Sequence, residues 1–388
     1  MIPKNNPSGR ALTDFLYTKA SRIRIPLSGT FELSPMCNFS CRMCYVRKTA
    51  KEVAESPRRI LTLEDWRRIA REAREAGMLY LLLTGGEPLL WPDFWTLYDE
   101  LTDMGFLISI NTNGSLIDDA AIAHFRRKPP QKLNITLYGA SDATYKQLCG
   151  VSGVFSKVDR AIRGLMEAGI TVKLNCSLTP ENAGDLDWIV DYGKERNTVL
   201  SVATYMFPPV RRNPTMVGVN ERFTPEESAD YLMRYLRRQR GEERYQMYLR
   251  SILDGCVEPP GLDEGCIDPA DGRIRCRAGK ASFWITWDGW LTPCGMMPEP
   301  KVDLKDSSFT DAWKALTEAA AALRLSGVCD KCPNKNVCHP CAAISFAETG
   351  SSAGIPTYKC RVTQRMRQIA LETRSPDIHC DSLPAGNE

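Results

Sequence analysis

The chain is poor in histidine. Its three, His124, His339 and His379, show no metal-ligand spacing, and no Ser/His/Asp arrangement points to hydrolysis. Long apolar runs are missing too: none reaches the length of a membrane span. The segment Met1 to Arg10 has no apolar core of the signal-peptide kind. Charge of one sign is not in excess. Fifty Lys and Arg face 47 Asp and Glu, a net +3, which makes no case for a nucleic-acid partner. The basic run Arg237-Arg238-Gln239-Arg240 reads as a solvated helix face. There is no internal repeat and no low-complexity tract. These absences predict a cytoplasmic protein that engages neither membrane nor nucleic acid.

What is present is cysteine, fifteen of them in 388 residues. Cytoplasmic thiols stay reduced, so they do not form a disulfide framework. Clustered cysteines in a reduced compartment bind metal or do catalysis. The rest is ordinary globular composition, 43% hydrophobic and 25% charged. The length suits one large domain and a smaller one.

From about Gly29 to Gln239 strand-like and helix-like segments alternate. The strands read as Thr30–Ser34, Leu79–Thr84, Phe106–Asn111, Leu133–Tyr138, Thr171–Ser177 and Val199–Tyr205. Helices lie between them at Leu63–Ala76, Asp93–Met104, Asp118–Arg127, Phe155–Ala168 and Asp185–Glu195. Thr62 opens the first, with Glu64 and Asp65 in its first turn, and Gly77 ends it. Six βα units predict a parallel sheet with helices outside. Right-handed crossovers curl it into a partial (β/α)6 barrel. A flat doubly wound sheet is the alternative, but no G-x-G-x-x-G follows the first strand. After about Gly241 Pro and Gly become frequent, periodic runs fade, and ten cysteines fall between Cys256 and Cys380. The expected division is an N-terminal segment 1–28, a barrel 29–240, a cysteine-rich domain 241–375 with few regular elements, and a tail 376–388.

Three thiols, Cys37, Cys41 and Cys44, lie within eight residues just after the first strand. A loop there sits at the C-terminal mouth of the sheet, where α/β proteins bind ligands. Three cysteines can hold three irons of a [4Fe–4S] cube and leave the fourth open. A zinc site with a distant fourth ligand, or structural cysteines, are the plainer readings. Gly85-Gly86-Glu87-Pro88 ends the second strand. Its glycines let the backbone approach a ligand, and Glu87 offers an anion to an ammonium group.

The C-x3-C-x2-C triplet, followed some forty residues on by GGEP, resembles the radical S-adenosylmethionine superfamily. The resemblance implies a [4Fe–4S] cluster on Cys37, Cys41 and Cys44 whose open iron takes the amino and carboxylate groups of S-adenosyl-L-methionine. Reductive cleavage then releases a 5′-deoxyadenosyl radical that takes a hydrogen atom from the substrate. It also implies cofactor contacts from Gly85, Gly86, Glu87 and Pro88, from Asn111 and Asn113, from Thr136, where relatives carry a Ser, and from the backbone of Met43. Tyr138 stands where those relatives have Asp.

A second constellation is C-terminal: Cys276, Gly289 and Cys294, then Cys329-x2-Cys332-x5-Cys338-x2-Cys341, then Cys360. Phe283–Trp287 and Trp290–Leu291 read as two strands turned at Asp288-Gly289. Two C-x2-C pairs alone are compatible with zinc. The whole run resembles the SPASM domain, with one departure: the last pair is C-x3-C in relatives. The resemblance implies two auxiliary [4Fe–4S] clusters. One has Cys276, Cys294, Cys341 and an upstream cysteine, Cys266 or alternatively Cys256. The other has Cys329, Cys332, Cys338 and Cys360. Cys149 and Cys176 read as core.

The expected function is an oxidoreductase of the maturase type, acting on a peptide or protein side chain by crosslinking or oxidation. The expected partners are a peptide substrate, a separate leader-binding protein, and an electron donor such as flavodoxin or ferredoxin. The thirty residues before the first strand are too few for a winged-helix leader-binding domain. The alternatives are a tetrapyrrole or another small molecule, and sulfatase maturation. Gly295 argues against the last, because sulfatase-maturing relatives have Asp after the cysteine.

Overall fold

A computed structural model describes residues 7–255, 257 and 273–374. Cys256, Cys266, His379 and Cys380, and with them the choice of upstream cysteine, lie outside the described residues.

The centre is a nine-stranded sheet, β1 Ser28–Glu32, β2 Tyr80–Thr84, β3 Leu107–Thr112, β4 Lys132–Thr136, β5 Val172–Ser177, β6 Val199–Ala203, β7 Ser282–Ile285, β8 Trp290–Thr292 and β9 Val302–Asp303. Their order is β6-β5-β4-β3-β2-β1-β7-β8-β9. Strands β1 to β6 run parallel in sequence order, the partial barrel expected from six βα units. Strand β7 pairs parallel with the outer edge of β1, Ser28 opposite Ser282. The C-terminal half is therefore joined to the barrel by main-chain hydrogen bonds. Strands β7 and β8 form the expected hairpin, turned at Gly289 with φ 91°.

The strands alternate in burial rather than being apolar throughout. Phe31, Leu33, Leu81, Leu83, Ile108, Ile110, Leu133, Ile135, Leu174 and Leu200 are buried in one core. The alternate positions carry Thr30, Glu32, Ser109, Asn111, Asn134, Thr136, Lys173, Asn175 and Ser201. By the period-2 rule they line the opposite, concave face. A parallel sheet covered on both faces by apolar elements reads as near-continuous apolar strands; the polar inner face here departs from that pattern.

Helix starts follow the capping chemistry of the sequence. Thr62 and Asp65 form a reciprocal capping box, and Asp118 and Ser141 accept from the third helical N–H. Gly241, φ 78°, separates helices Pro225–Arg240 and Glu242–Asp254.

The expectation of few regular elements after Gly241 is corrected: helices Glu242–Asp254, Phe309–Ala322 and Thr357–Thr373 are long. Phe309–Ala322 carries a regular stripe of Phe309, Ala312, Trp313, Leu316 and Ala320, but that of Thr357–Thr373 is narrow. Val362, Met366 and Ala370 recur every four residues among charged ones and are buried. Contact with neighbouring helices supplies what the pattern lacks.

The outer edge of β6 is sealed by side chains. Tyr235 Oη donates to Leu200 O at 2.8 Å, Ser228 Oγ to Thr204 O at 3.1 Å and Arg222 Nη1 to Met206 O at 3.2 Å. A sealed edge does not recruit a further strand.

Candidate catalytic centre at the mouth of the barrel

The triplet loop is held from three directions. Ser34 Oγ accepts from Met36 N at 3.1 Å at its start. Ser40 N donates to Cys149 O at 2.8 Å and Arg42 N to Leu148 O at 3.2 Å, so the end of helix Asp142–Cys149 brackets Cys41. The third anchor is the Gly85-Gly86 turn. Gly86 N donates to Ser34 O and Glu87 N to Met36 O, both at 2.8 Å. A Cβ on Gly85 would lie 2.4 Å from Ser34 O, and one on Gly86 2.3 Å from Met36 O. The glycines are needed because two main chains touch there.

N–H groups point at the sulfurs. Phe39 N lies 3.3 Å and Asn113 Nδ2 3.8 Å from Cys37 Sγ, and Arg47 N lies 3.3 Å from Cys44 Sγ. Burial pushes the Cys37 thiol up to about 12 and raises Cys44 as well. Cys41 alone is held below its ordinary value, first by the Cys149 thiol, against burial, and then by the Tyr138 hydroxyl.

Glu87 is fully buried. Its Oε1 accepts from Thr112 Oγ1 at 2.8 Å and Leu89 N at 3.2 Å, and its Oε2 from Asn113 N at 2.8 Å. Burial raises it to about 7, with these hydrogen bonds pulling the other way. The carboxylate thus braces the end of β3 against the end of β2, and Oε2 keeps room for one more donor. Most of the acceptor capacity of Glu87 goes to the chain itself. Pro88, buried, begins the short helical turn that follows.

Asn113 is brought to the triplet. Its Nδ2 donates to Asn38 Oδ1 at 2.9 Å as well as facing Cys37. Asn111 lies deeper, its Oδ1 accepting from Asn134 Nδ2 at 2.8 Å. Thr136 ends β4 opposite Asn175. Met43 is buried in the barrel core.

The C-terminal thiols form two groups by mutual electrostatic influence. Cys294 feels Cys341 and Cys276. Cys329 feels Cys360, Cys338 and Cys332. In the first group burial pushes Cys294 up to about 12, and Met296 N faces its sulfur at 3.5 Å. Among the described residues no three Cys, His, Asp or Glu side chains converge as a single ion requires. A cube takes one thiolate per iron corner and asks for wider spacing.

Between the triplet and Cys294 runs a buried network. Arg211 Nη2 reaches both oxygens of Glu32 at 2.9 and 3.0 Å, and Arg211 Nη1 donates to Gly295 O at 2.7 Å. Trp284 Nε1 donates to Glu32 Oε2 at 2.9 Å. Tyr45, next to Cys44, feels Arg211, Glu32, Cys44 and Cys294 together, and burial raises it.

The sequence matches the Radical SAM superfamily over residues 31–193. A probable GTP 3′,8-cyclase of Saccharolobus solfataricus is 33% identical over 282 residues, covering 71% of this chain and 84% of the relative. The chain belongs to the radical SAM superfamily. An AdoMet-dependent heme synthase of Methanosarcina barkeri is 25% identical over 335 residues, 82% of this chain and 92% of that protein. Among solved structures, Streptococcus suis SuiB bound to precursor peptide SuiA matches with TM-score 0.64 and 19% identity, over 92% of this chain and 82% of SuiB. The anSMEcpe protein with bound AdoMet and Kp18Cys peptide matches with TM-score 0.63 and 17% identity, over 89% and 97% of the two chains.

The residues present fit what a radical SAM enzyme binds. The donor set at the barrel mouth is all thiol, two of its sulfurs face N–H groups, and the Gly85-Gly86 turn packs main chain to main chain against the start of the triplet loop. Sequence reasoning missed Glu32, Arg211, Tyr45 and the contact of Cys149 with Cys41. Glu32 had a signal: a carboxylate amid an otherwise apolar and small strand, Ser28–Glu32. Arg211 had none, since it lies in an irregular segment.

Proposed function

We propose that this radical SAM enzyme removes hydrogen from a peptide or protein side chain, in the manner of a maturase with auxiliary clusters. The reading is carried by one arrangement: Arg211 bonds both Glu32, which ends β1 just before the triplet loop, and the carbonyl of Gly295, the residue after Cys294. Cys37, Cys41 and Cys44 would hold the catalytic cluster, and the two C-terminal thiol groups would hold auxiliary ones. The cluster with S-adenosylmethionine supplies a hydrogen-abstracting carbon radical. The chain's own residues orient and exclude. Glu87 and Asn113 fix the loop beside Cys37. Glu32, immobilised by Arg211 and Trp284, presents a carboxylate wall on the concave face. The polar side chains of β3 to β6 offer hydrogen bonds to a substrate backbone. SuiB and anSMEcpe, whose fold this chain shares, were captured with peptides, which supports a peptide as substrate.

Sulfatase-type maturation is disfavoured by sterics. A Cβ on Gly295 would lie 2.6 Å from the Trp284 ring, so the side chain of an Asp has no room there.

A second reading, a tetrapyrrole carboxylate as substrate, is favoured by the heme synthase relative.

The deciding experiment is anaerobic. Reconstituted enzyme, S-adenosylmethionine and dithionite are incubated with a short peptide encoded beside the gene, or with a propionate-bearing porphyrin. Mass spectrometry showing loss of a hydrogen pair from the peptide supports the first reading. Loss of carbon dioxide together with a hydrogen pair from a porphyrin propionate, with the peptide untouched, replaces it with the second.

A further inference from the structure

We propose that Arg47 is a carboxylate-binding residue at the rim of the triplet loop, placed to take the carboxylate of S-adenosylmethionine or that of a substrate. This rests on Cys37, Cys41 and Cys44 holding the catalytic cluster.

The loop that carries the three thiols closes where Arg47 stands. Lys48 N donates to Pro35 O at 3.0 Å, which joins the end of the loop to its beginning. Arg47 N points at Cys44 Sγ from 3.3 Å. The Gly85-Gly86 turn meets the loop at the same place, since a Cβ on Gly86 would lie 2.8 Å from Pro35 O. The main chain thus fixes Arg47 beside a thiol of the triplet.

Its side chain is not spent on the fold. Arg47 Nε is buried without a hydrogen-bond partner, and among the described residues the guanidinium forms no ion pair. The carboxylates around the loop are committed elsewhere. Glu52 Oε2 accepts from Thr49 N at 2.7 Å and from Thr49 Oγ1 at 2.8 Å, in the cap of helix Ala50–Ala54. Glu87 is held by Thr112, Asn113 and Leu89. Glu181 faces Arg42 at 3.9 Å. Elsewhere in the chain arginines of low exposure find a carboxylate. Arg58 grips Asp303 with two nitrogens at 2.6 and 2.7 Å, and Arg222 grips Glu348 at 2.6 and 3.0 Å.

A buried guanidinium N–H left without an acceptor is costly. The Nε–H and one Nη–H form a fork that matches a carboxylate. The acceptor that completes Arg47 is therefore a carboxylate brought by a ligand. S-adenosylmethionine carries one, and so does an acidic peptide or a tetrapyrrole seated over the triplet. The rival role is to offset the negative charge of a thiolate-bound cluster. That role needs a charge near the cluster but no partner, and it does not distinguish ligands with and without a carboxylate.

The test uses anaerobically reconstituted full-length protein as wild type, Arg47→Met and Arg47→Gln, with iron analysis of each. Isothermal titration compares S-adenosylmethionine with methylthioadenosine, which keeps the nucleoside and lacks the carboxylate. Absorbance titration compares a propionate-bearing porphyrin with its methyl ester. A third pair is the peptide encoded beside the gene and the same peptide with its carboxylates amidated. The variants should keep their iron and bind one carboxylate ligand about tenfold to a hundredfold more weakly, while its carboxylate-free counterpart binds all three proteins alike. A drop confined to S-adenosylmethionine makes the cofactor the source of the carboxylate. A drop confined to the porphyrin or the peptide makes it the substrate. The proposal is overturned if each carboxylate ligand and its counterpart respond alike to the substitutions. It is overturned too if both variants lose the catalytic iron, because Arg47 would then serve the cluster. If the wild type binds no S-adenosylmethionine at all, the cluster assignment itself has failed, a different result from an affinity that Arg47 does not alter.

Discussion

The two C-terminal thiol groups differ in depth. Cys294 and Cys341 are strongly desolvated, while Cys276 of the same group is exposed, and Cys294 adjoins Gly295, whose carbonyl Arg211 bonds. Cys329 lies in the short turn Gly327–Asp330 beside Val328, 63% exposed, and Cys360 near the start of helix Thr357–Thr373; both are less desolvated. Burial and ligand hydrogen bonding are the levers that set a cluster's potential. The inner group therefore suits exchange of electrons with the active site. The outer group suits contact with solvent-borne redox partners, or the stapling of Lys335–Cys338 to Thr357–Thr373.

The largest effect should come from emptying the triplet. Replacing Cys37, Cys41 and Cys44 by Ala should abolish cofactor cleavage and remove about four of about twelve irons. Iron analysis and chromatography of 5′-deoxyadenosine check this. If all the iron survives, the C-terminal thiols hold everything and the comparison between sites collapses.

Next in size is the bridge between the regions. Arg211→Met leaves Glu32 fully buried and without its ion-pair partner, which should cost about 3–5 kcal/mol. Denaturant unfolding of wild type and variant measures it. A loss below 1 kcal/mol, the range of an exposed pair, would mean that Arg211 does not hold the two halves together. Gly295→Ala should cost about 1–3 kcal/mol by overpacking, because its Cβ meets the Trp284 ring. Unaltered stability there would return room for a side chain after Cys294, and with it the sulfatase reading.

The strands of the barrel were legible because each is a short segment of alternating apolar residues set between helical patterns and turn residues. Their ends fall close to those expected, as with Leu79–Thr84 against the observed Tyr80–Thr84. The triplet and the Gly85-Gly86 turn were legible as local spacing. The direction of Glu87 was not, because its partners Thr112 and Asn113 are 25 and 26 residues away. The same holds for Cys149. Its sequence marks it as core, and it is core, but only the packing of helix Asp142–Cys149 onto the triplet loop puts it beside Cys41. Helix Thr357–Thr373 was missed because its narrow stripe gains stability from tertiary contact rather than from pattern; Phe309–Ala322, with a regular stripe, was legible and was passed over.

The smallest effect on cofactor cleavage should come from the outer thiols, and it sharpens the contrast most. Cys360 opens no part of the barrel. It sits in the first turns of helix Thr357–Thr373, whose buried face of Val362, Met366 and Ala370 packs on helices of both halves. Cys360→Ala should therefore leave the barrel folded and dithionite-driven formation of 5′-deoxyadenosine in place. It should remove about four irons and abolish product formation if the outer cluster is a required electron carrier. Retained product with the iron lost would make the outer group a staple. In that case the electron traffic belongs to the inner group alone, and Cys294→Ala should be the variant that cleaves the cofactor without making product. Loss of both cleavage and iron in Cys360→Ala would mean that the outer site supports the barrel fold, and the separation between surface and buried thiols would not survive.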